Sequence, residues 1–194
     1  MLLNLNRCSL VVTLCIRSLP LMSTSISESE GADNSPEETH TNYNLHKHLV
    51  GAHLSISKGI HTVQEQMDML KAHTCAMFLK SQRTYNFKKI KDEDVSRFRE
   101  HVRFPELILP HASYLVNLAN PEVMSGKGFD VLVDDLERCN LLGIKMYNIH
   151  PGSDVNKLGR GALELVSENL NRVLSIVPNV MVLLENMAGQ GSVL

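Results

Sequence analysis

From residue 49 onward the chain alternates two hydrophobic periods. Short apolar runs rich in β-forming residues occupy 49–53, 75–80, 107–110, 144–150 and 180–185, each bounded by Gly, Pro, Asn or polar residues. Between them, apolar residues recur at helical spacing. Ile60, Val63, Met67 and Leu70 form one stripe, and Val95, Phe98 and Val102 form the next. Leu132, Leu136 and Cys139 make a third, with Gly143 placed to end it. Leu163, Val166, Leu170 and Val173 make the fourth. Strict alternation of strand and helix predicts a parallel sheet with helices outside it, because parallel neighbours need a crossover connection. The nearly continuous apolar character of the strands agrees, since parallel strands are buried on both faces.

An open doubly wound sheet and a barrel both satisfy this order. A dinucleotide-binding sheet carries a glycine-rich turn after its first strand. Here that turn reads His53-Leu54-Ser55-Ile56-Ser57-Lys58-Gly59, so no nucleotide cofactor is expected. A complete barrel takes roughly 250 residues, and the span 49–194 suits about five of its eight βα units. The expected fold is therefore α/β: an incomplete TIM-type (β/α)8 barrel, cut short after its fifth strand.

The segment 1–48 differs. Residues 1–27 contain Arg7 and Arg17 and no acid, and their longest apolar run, Leu10 to Ile16, is far below the about 20 residues of a membrane span. A targeting segment and an extension ahead of a start at Met22 both fit this stretch. Residues 23–44 are rich in Ser, Thr, Asn and Glu and are expected to be a disordered linker. The domain reading is 1–48 as extension and 49–194 as partial barrel.

Composition refines this in two respects. With 43% hydrophobic and 21% charged residues, a disordered or collagen-like chain is excluded. Lys plus Arg number 19 against 21 Asp plus Glu, so overall charge gives no nucleic-acid signal, and local groups must hold any anionic partner. The four cysteines, at 8, 15, 75 and 139, lack zinc-knuckle or redox spacing and suggest reduced thiols.

The candidate chemistry lies at strand ends. Leu107-Ile108-Leu109-Pro110 runs into His111, Met146-Tyr147-Asn148-Ile149 into His150, and Val182-Leu183-Leu184 into Glu185. The intervals are each about one βα unit, so two imidazoles and a carboxylate reach the mouth where barrel enzymes keep their chemistry. A His/His/Glu set with an open position suits a catalytic Zn2+, which acidifies bound water. Any one of these residues alone reads as a turn or cap residue; three in phase favour the metal. His53 ends the first strand in the same register. The remaining histidines fall in linker or helix positions and are expected to be structural.

Five segments, one per strand, carry a resemblance. They are Gly51-Ala52-His53-Leu54-Ser55, Phe78-Leu79-Lys80-Ser81-Gln82-Arg83, Leu109-Pro110-His111-Ala112-Ser113-Tyr114-Leu115-Val116-Asn117-Leu118, Tyr147-Asn148-Ile149-His150-Pro151-Gly152-Ser153 and Leu184-Glu185-Asn186-Met187-Ala188-Gly189-Gln190-Gly191-Ser192. Together they resemble the endonuclease IV family of apurinic/apyrimidinic endonucleases. The resemblance implies a barrel with three zinc ions that cleaves double-stranded DNA 5′ to an abasic site in base excision repair. It makes His111 and His150 ligands of one zinc, and Glu185 both ligand and catalytic bridge to a second. Arg83, Tyr114 and Leu115 resemble residues that enter the DNA at the lesion. His53, Lys80, Gly189 and Gly191 are secondary expectations, as supporting or phosphate-approaching groups.

Only one zinc site has its ligands complete in this sequence, so this chain by itself is expected to be inactive or weakly active. The expected location is the nucleus, with mitochondria open through the N-terminus, and no membrane partner is expected. Two other readings stay open: a non-catalytic shortened isoform that binds zinc or DNA, and a metal-dependent sugar isomerase or epimerase. Gln82-Arg83 and Ser113-Tyr114 argue against the latter, as does the absence of tryptophan.

Overall fold

The computed structural model describes residues 49–185. Five strands alternate with helices in the predicted order: β1 (Gly51–Leu54), α1 (Val63–Leu70), β2 (Thr74–Met77), α2 (Asp92–His101), β3 (Ile108–Pro110), α3 (Pro121–Met124), α4 (Lys127–Leu142), β4 (Met146–Ile149), α5 (Arg160–Ile176) and β5 (Met181–Leu184). Every strand pairing is parallel. Two short 3-10 turns, Ile60–Thr62 and Pro105–Leu107, precede α1 and β3.

The sheet is split where one continuous sheet was expected. The strands β1-β2-β3 form one ladder and β4-β5 another, joined by a single bridge between His111 and Asn148. Pro110 explains the break. Successive amides of a strand point to opposite neighbours; the His111 N–H donates to Met77 O at 2.8 Å and the Ala112 N–H to Asn148 O at 2.8 Å. The amide preceding His111 would therefore face β4, and proline has none to offer.

The helix ends follow their local chemistry. Asn120 caps α3, its side-chain oxygen accepting from the Glu122 and Val123 amides at 3.0 and 3.3 Å, with Pro121 in the first turn. Asp92, Glu93 and Asp94 open α2, complementing its dipole. Gly143 closes α4 at φ 79, the left-handed value its place in the sequence predicted.

One apolar cluster runs between strands and helices, with Met77, Phe98, Ile108, Leu132, Leu136 and Tyr147 fully enclosed. Two stripe positions lie outside it. Leu70 and Leu163 are exposed, whereas Ala162 and the hydrogen-bonded Asn169 take the buried face of α5. At the far end of the second ladder, Met181 and Leu184 are 57% and 50% exposed, so β5 presents apolar surface among the described residues. No helix among them is long and apolar enough to cross a membrane.

Candidate metal centre

The split in the sheet builds the site. His111 stands at the junction, its backbone tied to β2 and its neighbour's to β4. Ile149 pairs with Leu184, so the residues after them leave their strands side by side, and the Glu185 N–H donates to Ile149 O at 2.9 Å. The carboxyl ends of β3, β4 and β5 thus deliver His111, His150 and Glu185 to one point. Their ligand atoms all lie within 4.8 Å of one another, the one such group among the described residues.

The distances suit a shared cation. His111 Nε2 is 3.2 Å and His150 Nε2 3.5 Å from the same oxygen, Glu185 Oε2. Ligand atoms about 2.0–2.1 Å from a tetrahedral Zn2+ stand about 3.3–3.4 Å apart. The imidazole centroids are 4.9 Å apart with planes at 89°, so the two lone pairs approach from different directions.

Hydrogen-bond roles give an independent test. His111 Nδ1 lies 2.8 Å from Ala112 O, an oxygen that only accepts, so Nδ1 carries the proton. In the neutral ring Nε2 is then an acceptor, and it faces a carboxylate that also only accepts. Two acceptors at this separation need a cation or a proton between them. Burial holds the His150 pKa below its usual value, a push reinforced by His111 and opposed by Glu185. The shift favours the neutral ring, the form able to ligate.

The surroundings orient these groups. Asn148 Nδ2 donates to Glu185 Oε2. The turn after His150 is locked by Asn117, whose Oδ1 accepts from the Ser153 amide at 3.1 Å and whose Nδ2 donates to Ser153 O at 2.9 Å. Gly152 sits at φ 117 within that turn, and a Cβ there would fall 2.2 Å from Asn117 Oδ1. Phe78 meets His111 edge-on at 5.7 Å and Tyr114 at 5.6 Å, while Tyr114 lies 5.9 Å from His150. A pocket of about 180 Å³ opens beside the ligands, lined by Tyr114, Asn117, Gly152 and Ser153 among others.

The other sequence-predicted residues fall as follows. Tyr114 is 64% exposed on the loop after His111, with Leu115 half-buried next to it. Arg83 is exposed on the loop after β2. His53 lies beyond Phe78, ring centroids 4.8 Å apart, outside the three-residue group, and burial lowers its pKa. Lys80 is a correction. Its ammonium contacts Asp134 at 2.7 Å, Asp135 at 2.9 Å and Val131 O at 2.8 Å, and is not free for a phosphate. Gly189 and Gly191 lie outside the described residues.

Sequence reasoning missed Asn148, Asn117 and Phe78. Asn148 was within reach: two residues before His150 on a strand, it shares that residue's face.

A family model described as a xylose isomerase-like TIM barrel matches residues 65–194. The curated protein "Probable endonuclease 4" of Campylobacter hominis is 33% identical over 149 residues, covering 74% of this chain and 53% of that protein. The crystal structure of endonuclease IV from Thermus thermophilus superposes with a TM-score of 0.62 at 32% identity, covering 74% of this chain and 54% of that one. A xylose isomerase domain protein from Planctomyces limnophilus, at 18% identity and TM-score 0.51 over 73% and 54% of the two chains, shares the fold. The chain belongs to the xylose isomerase-like TIM-barrel family, and within it to the endonuclease IV members. It spans about half the length of the relatives it matches.

Proposed function

We propose that the chain carries part of a zinc-dependent DNA-repair endonuclease acting on double-stranded DNA 5′ to an abasic site, with His111, His150 and Glu185 as ligands of one Zn2+. The observation that carries this reading is the meeting of three acceptor groups around one point, with His111 Nε2 facing Glu185 Oε2 at 3.2 Å. When bound, the metal supplies positive charge that polarises a phosphodiester oxygen and acidifies water. His111 holds its lone pair inward through the Ala112 hydrogen bond. The contacts of Glu185 with His111, His150 and Asn148 all use Oε2, so Oε1 would be the oxygen able to hold a second cation.

Arg83, Tyr114 and Leu115 read the lesion. A guanidinium and an aromatic ring fill the gap left by a missing base and stack on its neighbours, and Leu115 adds an apolar wedge. His53 is a supporting group at the same mouth. DNA is the partner, with no nucleotide cofactor, and the nucleus or mitochondrion is the compartment this role implies.

The sugar-isomerase alternative rests on a fold description and a relative at 18% identity, whereas the relatives at 33% and 32% are named endonucleases. The deciding experiment titrates the zinc-loaded chain with a duplex bearing a tetrahydrofuran abasic analogue and with the same duplex intact. Preference for the abasic duplex, weakened by Arg83→Ala or Tyr114→Ala, is expected. Equal binding of both duplexes overturns the reading.

A further inference from the structure

The loop after β2 and the loop after β3 are bound to one another by their own side chains. The Ser113 hydroxyl donates to Gln82 O at 3.0 Å, directly before Arg83. The same Oγ accepts from the Leu115 amide at 3.2 Å. The Tyr85 hydroxyl, two residues beyond Arg83, donates to Leu115 O at 2.9 Å. Leu115 is thus held at both its N–H and its C=O, once through each flank of Arg83. At the base of the first loop, the buried Arg138 guanidinium donates to Leu79 O at 3.3 Å and to Lys88 O. This closes 79–88 into a tied loop on a helix that is itself part of the core.

Charge and exposure sharpen the point. Arg83 and Tyr114 are exposed, while Ser113 is 4% exposed and Arg138 7%. The side chains facing solvent at the mouth therefore stand on backbone fixed from below. A long guanidinium on an untethered loop would lose considerable conformational entropy on entering a gap in DNA, and a preset loop loses less.

We propose that Tyr85, together with Ser113, is a positioning residue that joins the two loops into one lesion-reading unit, fixing Arg83 relative to Tyr114 and Leu115. The proposal rests on the DNA reading above. Tyr85 stands outside the His111, His150 and Glu185 group, and its hydroxyl acts through the Leu115 carbonyl. Discrimination between abasic and intact duplex should then depend on a hydroxyl bonded to the Leu115 backbone.

The test uses the full 194-residue chain loaded with zinc, and the abasic-analogue and intact duplexes described above. Tyr85→Phe keeps the ring and removes the hydrogen bond, so the thermal midpoint should fall by only about 2–4 °C. The abasic preference should fall roughly five-fold, as expected for one lost hydrogen bond. Zinc content should stay unchanged. In an Arg83→Ala background the same substitution should add nothing, because the residue it positions is gone. Ser113→Ala should behave alike.

A wild-type preference that survives Tyr85→Phe undiminished overturns the coupling alone. So does a loss that adds in full to that of Arg83→Ala, or one that falls equally on intact duplex. Absence of any preference in the wild-type chain overturns the DNA reading and takes this inference with it.

Discussion

Two clusters of ionisable side chains occur in this domain, and they are built on opposite principles. In the first, Lys80 and Arg138 meet Asp134 and Asp135 beneath the loop after β2, with Arg138 Nε 2.6 Å from Asp134 Oδ2 and the Tyr147 hydroxyl donating to Asp135 at 2.7 Å. Two enclosed cations meet two carboxylates at side-chain exposures from 3% to 9%, and the exposed Lys89 reaches Asp134 from outside at 3.7 Å. In the second, His111, His150 and Glu185 present acceptors to each other, and His150 and Glu185 keep 28% and 29% exposure. The first cluster is closed: each charge has its partner inside the fold. The second is open: acceptors face acceptors, an arrangement that a cation from outside would complete. Burial and charge count together separate a structural network from a ligand site better than the presence of titratable residues does.

The comparison is broken most forcefully by removing a cation from the closed cluster. Lys80→Met leaves Asp134 and Asp135 without one of their counter-ions in an enclosed site, with a cost of about 3–5 kcal/mol. Urea unfolding measures it. A loss under about 1 kcal/mol would show that solvent reaches the aspartates and that the network is not closed. Zinc affinity per folded molecule should be unaffected, since no ligand is touched.

The open cluster should respond the other way. His150→Ala is expected to abolish stoichiometric zinc binding, by more than the about 10–100-fold that loss of a supporting partner costs. Apo-protein stability should hardly change. Zinc should raise the midpoint of the wild-type chain, by about 2.7 kcal/mol of stability at a hundredfold excess over Kd, and leave that of the variant in place. Zinc content unchanged in His150→Ala would reduce the histidine to an ordinary turn residue. A smaller effect belongs to Asn148→Ala, which removes a donor to Glu185 without removing a ligand; zinc affinity should fall about 10–100-fold, as read by chelator competition.

How far these clusters could be read from sequence differs in the same sense. The open site was legible because its residues follow strands, and a strand fixes direction: once the runs ending at Pro110, Ile149 and Leu184 were recognised, His111, His150 and Glu185 had to share a rim. The closed network was not legible. Asp134, Asp135 and Arg138 lie on α4, where polar positions are ordinarily assigned to solvent, and all three are buried. Their partner Lys80 comes from another element more than fifty residues away along the chain, as the separation of 54 to Asp134 records. Periodicity carries no information on such pairing, which is why the sequence alone suggests a phosphate contact for Lys80. The exchange of Leu163 for Ala162 on α5 has a similar origin: Asn169 enters the buried face to donate to Leu118 O at 3.0 Å, and the apolar stripe alone placed that face one position away. The sheet break was written in Pro110, but only the backbone shows which neighbour its absent amide would have faced.

The smallest predicted effect tests whether the closed cluster is polarised internally. Burial pushes the Asp134 carboxyl up, yet hydrogen bonds from Lys80 and Arg138 outweigh it and hold the pKa below the usual value. Burial dominates at Asp135 and raises its pKa despite Lys80 and Tyr147. A depressed carboxylate contributes stability that is present above its unfolded pKa, about 3.9, and is lost as pH falls through the folded value. A raised one contributes in the opposite sense, with its share present at low pH and lost as pH rises through the folded value. Asp134→Asn should therefore cost most above about pH 4, its deficit against wild type narrowing only as the pH falls below that value. For Asp135→Asn the deficit should widen as the pH falls from neutrality toward about pH 4. Urea unfolding across about pH 2–7 measures both, and slopes of the same sign would show that the two aspartates share one environment, against the separate roles their partners give them.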